Sequence, residues 1–215
     1  MTACNMIISD DRAVFLTDTA LFDPDGVVVG FERKVVCMPR LGLAISLTGM
    51  MIGGPAVLRA MFRPFRTQAE ALEELPDVAW AIREVNMEHC ARDGRRWACD
   101  VTLAIAVYDI GDRRFSGRLL STGNLPIRGT GQAYVPGTYL QVRNCISPAI
   151  DRHLPVEFSV IEHGRWLLER QRRTLSSGGY HSVGGMAELR IITAEGSRKR
   201  VISTWPDRVG EKIVP

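Results

Sequence analysis

The sequence predicts an α+β fold in which two antiparallel sheets carry helices packed outside them. Three observations point there. The first fifty residues are short β-favouring runs separated by turn signals. The hydrophobic period then changes to a helical one between about residues 53 and 93. Strand runs return after it, followed by one late helix and a closing hairpin. The order is therefore strands, two helices, strands, one helix, strands, which lacks the alternation of a doubly wound sheet.

Ala3 to Ser9 is an apolar run that ends at the polar turn Asp10-Asp11-Arg12, and Ala13 to Thr17 completes a hairpin. Phe22-Asp23-Pro24-Asp25-Gly26 is turn chemistry, because proline fixes φ and glycine permits positive φ. Val27–Val29 and Lys34–Cys37 read as another pair of short strands. After the turn Pro39–Gly42, Leu43–Leu47 is a strand that closes at Thr48-Gly49. Gly53-Gly54-Pro55 opens a helix to about Phe62, with proline in the tolerated first turn. Thr67 with Glu70 fits a capping box before a second helix. Pro76 either interrupts that helix or starts a new one through Val78, Ile82, Val85 and Met87, and Asp93-Gly94 ends it. Val101–Tyr108 and Arg114–Leu120 flank the hairpin signal Asp109-Ile110-Gly111-Asp112. Ile127–Val135 and Thr138–Val142 are further strands, Glu157–Arg172 is a helix, and Leu189–Thr193 with Arg200–Ser203 forms the last hairpin. No repeat or linker divides the 215 residues, so one domain over 1–215 is expected.

Hydrophobic runs are short and interrupted by charge, which predicts no membrane span. The N-terminus lacks the order of a signal peptide, and the five cysteines form no close pair of metal-ligand type, so reduced thiols in the cytoplasm are expected. A net charge of +3 with one short basic cluster, Arg198-Lys199-Arg200, is too small a footprint for nucleic acid. The four histidines share no ligand spacing, so neither metal nor cofactor is expected. Gly53-Gly54 and Gly184-Gly185 are read as turns, since neither is followed by the lysine and hydroxyl of a phosphate loop.

Chemistry concentrates at the front of the chain. Thr2, Asp18 and Lys34 lie sixteen residues apart twice over, and Lys34 is one of only three lysines. A threonine hydroxyl needs a base to become a nucleophile. If Met1 is removed, the α-amine of Thr2 can be that base, because its ordinary pKa is about 7.7–8.0. A nearby lysine ammonium lowers the amine's pKa, and a carboxylate holds the lysine charged and oriented. Gly49, at the end of a strand, can offer a backbone N–H to an oxyanion. A retained Met1 would tie that amine into a peptide bond and abolish the chemistry.

Val14-Phe15-Leu16-Thr17-Asp18-Thr19, Lys34-Val35-Val36 and Leu43-Ala44-Ile45-Ser46-Leu47-Thr48-Gly49 resemble the early strands of N-terminal-nucleophile hydrolases of the proteasome β-subunit and bacterial proteasome-like protease type. The resemblance covers roughly the first fifty residues; beyond them only the order of elements matches. It implies a four-layer αββα sandwich and hydrolysis of a peptide or other amide bond. Thr2 would attack, Asp18 and Lys34 would tune charge, and Gly49 would hold the oxyanion. It also implies a homo-oligomer, an ATP-dependent unfolding partner, and supporting roles for Ser147 and Ser182. No aspartate accompanies Ser182, and Thr19 stands where many active members carry arginine. The alternative expectation is accordingly a catalytically inactive protein of the same fold, serving as a structural or assembly component.

Overall fold

The computed structural model describes residues 3–49, 58, 60, 64–92, 94, 99–125, 134–147, 159–176 and 178–215. Its strands are β1 (Cys4–Ser9), β2 (Arg12–Thr17), β3 (Ala20–Phe22), β4 (Val28–Phe31), β5 (Val35–Met38), β6 (Leu43–Gly49), β7 (Val101–Asp109), β8 (Arg114–Ser121), β9 (Tyr139–Val142), β10 (Asn144–Ser147), β11 (Met186–Thr193) and β12 (Gly196–Thr204). Two helices lie wholly among the described residues, α1 (Gln68–Arg92) and α2 (Val160–Arg172). One five-stranded sheet runs β10-β1-β2-β11-β12, a second runs β5-β6-β7-β8-β9, and β3 with β4 forms a separate ribbon.

The five-stranded sheets face each other across Met6, Ile8 and Phe15 from the first and Val35, Ala44, Ala104 and Phe115 from the second. These side chains alternate along their strands with residues that face outward, as a period of two requires. The outward residues of the second sheet, including Ile45, Leu103 and Ile105, meet Leu75, Ala79 and Ile82 of α1. Those of the first sheet, including Val14, Leu16 and Leu189, meet Val160, Leu167 and Leu168 of α2.

This corrects the four-layer αββα expectation. Among the described residues the chain is mostly β, 43% strand against 25% helix, with three sheets and two helices described from end to end. Among the described residues one long helix packs on the outer face of each five-stranded sheet, and a helix about 10 Å wide spans only part of five strands spaced about 4.8 Å apart. The predicted helix at 53–62 and strand at 127–135 fall mostly outside the described residues.

Local differences have local causes. Thr67 Oγ1 does accept the Glu70 N–H (3.2 Å), but Glu70 Oε2 accepts from Arg66 N (2.8 Å) rather than from Thr67. Pro76 lies inside α1, which continues through it. The buried stripe of α1 is Ala71, Leu75, Ala79, Ile82, Asn86 and Cys90, while Val85 and Met87 are exposed. Small and polar residues share the packed face with Leu75 and Ile82. The two short strands expected near 27–29 and 34–37 form as β4 and β5, each with its own partner: β4 pairs with β3, and β5 pairs with β6. Ser159 caps α2, its Oγ accepting the Glu162 N–H.

Candidate active site

Asp18 follows directly on β2, and no part of it is exposed. Each of its carboxylate oxygens is held by two donors. Oδ1 accepts from Lys34 Nζ (2.7 Å) and from the Ala3 N–H (2.9 Å). Oδ2 accepts from the Gly184 N–H (3.0 Å) and the Ala20 N–H (3.2 Å). A buried charge is tolerable only when paired and hydrogen-bonded, and this carboxylate is both.

Lys34 immediately precedes β5 and is itself buried. Its bond to Asp18 ties the second five-stranded sheet to the first. Burial lowers the Lys34 pKa below its ordinary value, and the Asp18 charge opposes that shift. Cys4 lies in the same neighbourhood: burial raises its thiol strongly, with the Ser46 hydroxyl and the Lys34 charge pulling the other way. Ser46 Oγ is buried, and Ser46 stands opposite Val35 in the β5–β6 ladder.

That register places Lys34, one residue before Val35, and Gly49, three residues after Ser46, at the same end of the hairpin. Gly49 is exposed, with φ 104, and pairs with Val101. A Cβ at Gly49 would run into the Asp100 carbonyl oxygen, so glycine is required there by conformation and by space.

The loop 183–185 completes the shell around Asp18. The Gly184 carbonyl accepts from Thr19 N (3.2 Å) and Ala20 N (3.1 Å), and Thr19 Oγ1 accepts from Met186 N (2.9 Å). The loop is in turn clamped from behind. Arg172 Nη1 and Nη2 donate to the two oxygens of Asp207, each at 2.7 Å, and also to the carbonyls of Val183 and Val214. Asp207 Oδ2 accepts from the Gly185 N–H (2.8 Å). Gly185 has φ 75, and a side chain there would collide with Thr19 Oγ1.

The structure thus joins Asp18 to Lys34 and sets Gly49 at the same end of the β5–β6 hairpin. Ser182 is buried two residues before Gly184, but the loop's reach to Asp18 is made by the Gly184 amide. Ser147 ends β10 opposite Cys4. Thr2 lies outside the described residues. Sequence reasoning missed Gly184, whose contribution is a backbone N–H that no side chain announces; the Gly184-Gly185 pair was the available signal.

An open cleft of about 310 Å³, lined by Ile8, Asp10, Arg114, Gly117, Arg143 and their neighbours, contains none of the predicted residues. It lies at the Ile8 end of β1, away from the Ala3–Asp18 bond. Among the described residues no group of three or more His, Cys, Asp or Glu is placed to hold a metal ion. Among them also, no helix is long and apolar enough to cross a membrane. No protein-family model matches the chain, and no curated protein matches it either.

Proposed function

We propose that the chain is an N-terminal threonine hydrolase of peptide or other amide bonds, working in the cytoplasm after removal of Met1. One observation carries the reading. A single oxygen, Asp18 Oδ1, accepts from both Lys34 Nζ and the N–H of Ala3, the residue joined by a peptide bond to Thr2. A buried lysine–carboxylate pair is therefore tied to the amide that immediately follows the proposed nucleophile.

In this mechanism the Thr2 hydroxyl attacks the substrate carbonyl while the Thr2 α-amine takes its proton. The Gly49 N–H stabilises the oxyanion. The amine returns the proton to the departing nitrogen, leaving an ester on Thr2, and then activates the water that hydrolyses it. Lys34, itself held below its ordinary pKa by burial, depresses the amine's pKa through its charge. A homo-oligomer served by an ATP-dependent unfolding partner belongs to the same proposal.

A second reading, a catalytically silent structural or assembly component, is favoured by a different observation. Among the described residues, four donors to Asp18 come from the fold's own backbone and Lys34, which is the arrangement of a structural bearing.

Intact-mass measurement of protein isolated from cells tests the enzyme reading first. Retention of Met1 in the mature chain eliminates it. With Thr2 at the N-terminus, a peptide epoxyketone should add one equivalent to the protein, and the adduct should disappear in Thr2→Ala. Labelling that survives this substitution refutes Thr2 as nucleophile and leaves the silent reading.

A further inference from the structure

The last turns of α1 hold the entry of β7 through three successive contacts. Arg83 Nε donates to Asp100 Oδ1 (3.0 Å), and Asn86 Nδ2 donates to the Cys99 carbonyl (3.3 Å). One turn further, the sulfurs of Cys90 and Cys99 lie 3.5 Å apart. Arg83, Asn86 and Cys90 are three and four residues apart, so they share one helix face. Cys90 is buried, and Cys99 is partly exposed.

We propose that Cys90 and Cys99 form a reversible disulfide, a peroxide-responsive modification site that locks the end of α1 to the entry of β7.

The side-chain and backbone contacts at Arg83 and Asn86 already hold Cys99 against the helix. Closing the sulfurs to a bond of about 2.05 Å takes a movement of only about 1.5 Å. Pre-positioning of this kind makes the second thiol an intramolecular reactant. The remaining cysteines are placed otherwise. Cys37 Sγ is engaged by Arg190 Nη1 at 3.1 Å. Cys4 stands opposite Ser147 and Cys145 opposite Met6, a diagonal relation two residues out of register. Diagonal neighbours in a ladder are about 7–8 Å apart, beyond the usual Cα separation of a disulfide.

The chemistry balances with hydrogen peroxide as oxidant. The Cys99 thiolate attacks one peroxide oxygen; an S–O bond forms, the O–O bond breaks, and hydroxide leaves and takes up the thiol's proton as water. The Cys90 sulfur then attacks the sulfenic sulfur of Cys99. An S–S bond forms, the S–O bond breaks, and the hydroxyl leaves with the Cys90 proton as a second water. Two thiols lose two electrons and two protons, and one peroxide becomes two waters. Burial and the contact with Cys90 push the Cys99 thiol up to about 11, so thiolate is scarce at neutral pH. The initial rate should therefore rise about tenfold per pH unit below that value.

Reduced full-length protein is exposed to hydrogen peroxide, its remaining thiols are alkylated, and it is mapped by non-reducing peptide mass spectrometry. The expected product is a Cys90–Cys99 cross-linked peptide, lighter by about 2 Da than its two thiol peptides together, that reverts with dithiothreitol. Cys99→Ser should abolish the cross-link, and Cys145→Ser should leave it intact. Since Cys90 is buried, Cys99→Ser tests the bond with the smaller risk to folding. Conversion of Cys99 to sulfinic acid without any cross-link overturns the proposal. So does a product in which Cys37 or Cys145 pairs as often as Cys90.

Discussion

Asp18→Asn removes one charge and almost no volume, which makes it a clean probe of the buried pair. An amide has one acceptor and one donor end, whereas the pocket presents donors to both oxygens. If the Asn oxygen takes the place of Oδ1, its NH2 group faces the N–H groups of Gly184 and Ala20. In the flipped orientation the NH2 group faces Lys34 Nζ and the Ala3 N–H. Either way two hydrogen bonds are lost, and Lys34 loses its counter-charge. Removing one partner of a buried pair costs about 3–5 kcal/mol. For a chain of this length each kcal/mol moves Tm by about 2–4 °C, so a fall of roughly 6–20 °C is expected. Lys34→Met should cost less, because Asp18 keeps its three amide donors. The double variant should then be more stable than the sum of the single losses implies. The loss should also depend on pH. Without Asp18, the folded-state pKa of Lys34 sits further below its unfolded value of about 10.4, so folding disfavours its protonation. The stability this costs is recovered as pH rises, and the gap between Asp18→Asn and wild type should narrow from pH 7 to pH 10. Thermal melts followed by circular dichroism at several pH values measure all of this. A Tm within about 2 °C of wild type, or a loss in Lys34→Met equal to that in Asp18→Asn, would refute the reasoning.

Gly49→Ala places a methyl group at φ 104 against the Asp100 carbonyl and should cost about 2 kcal/mol or more, read as a lower urea midpoint at unchanged m-value. Asp207→Asn breaks the bidentate clamp on Arg172 and should cost about 3–5 kcal/mol. Hydrogen-exchange protection at the Gly184 and Gly185 amides should fall further than protection at β7. At alkaline pH the signs run the other way. Burial pushes the Cys145 thiol up to about 11 and the Tyr139 hydroxyl up to about 12. Both contribute stability that is whole below their unfolded values and is lost as pH rises through the folded ones. Stability should therefore decline from about pH 9 upward, and Cys145→Ala should flatten the first part of that decline.

Much of the β architecture was legible because its hairpins are local. Asp10-Asp11-Arg12 and Asp109–Asp112 carry their own turn chemistry between alternating runs, and both hairpins form. The link between Asp18 and Lys34 was also legible, since a rare lysine stands at the interval where a carboxylate would hold it. Three things were hidden for physical reasons. β10 pairs with β1 across more than a hundred residues, and four residues carry too little alternation to announce it. The packed face of α1 shares Leu75 and Ile82 with two alanines and an asparagine, and a search for large apolar residues finds Ile82 but adds the exposed Val85 and Met87. The shell of Asp18 is mainly backbone N–H, which every residue but proline possesses, so no side chain marks Ala20 as a partner, and the Gly184-Gly185 pair announces only a turn. The layer count failed for a related reason: a helical period shows that a helix exists, not how much of a sheet it covers.

The Gly184 amide that completes the Asp18 shell is 166 residues from it along the chain, as is the Gln171 amide that exchanges hydrogen bonds with Asn5. On the ribosome this separation becomes time. At about 5–20 residues per second, β2 emerges roughly 10–35 s before β11, its neighbour in the sheet. Through that interval β2 has one open edge, and Asp18 and Asn5 lack partners that have yet to be synthesised. An open edge is a template for pairing with another chain. The strands translated first are thus among the last to be finished, and the nascent chain is most exposed to misassembly while its middle third is being made.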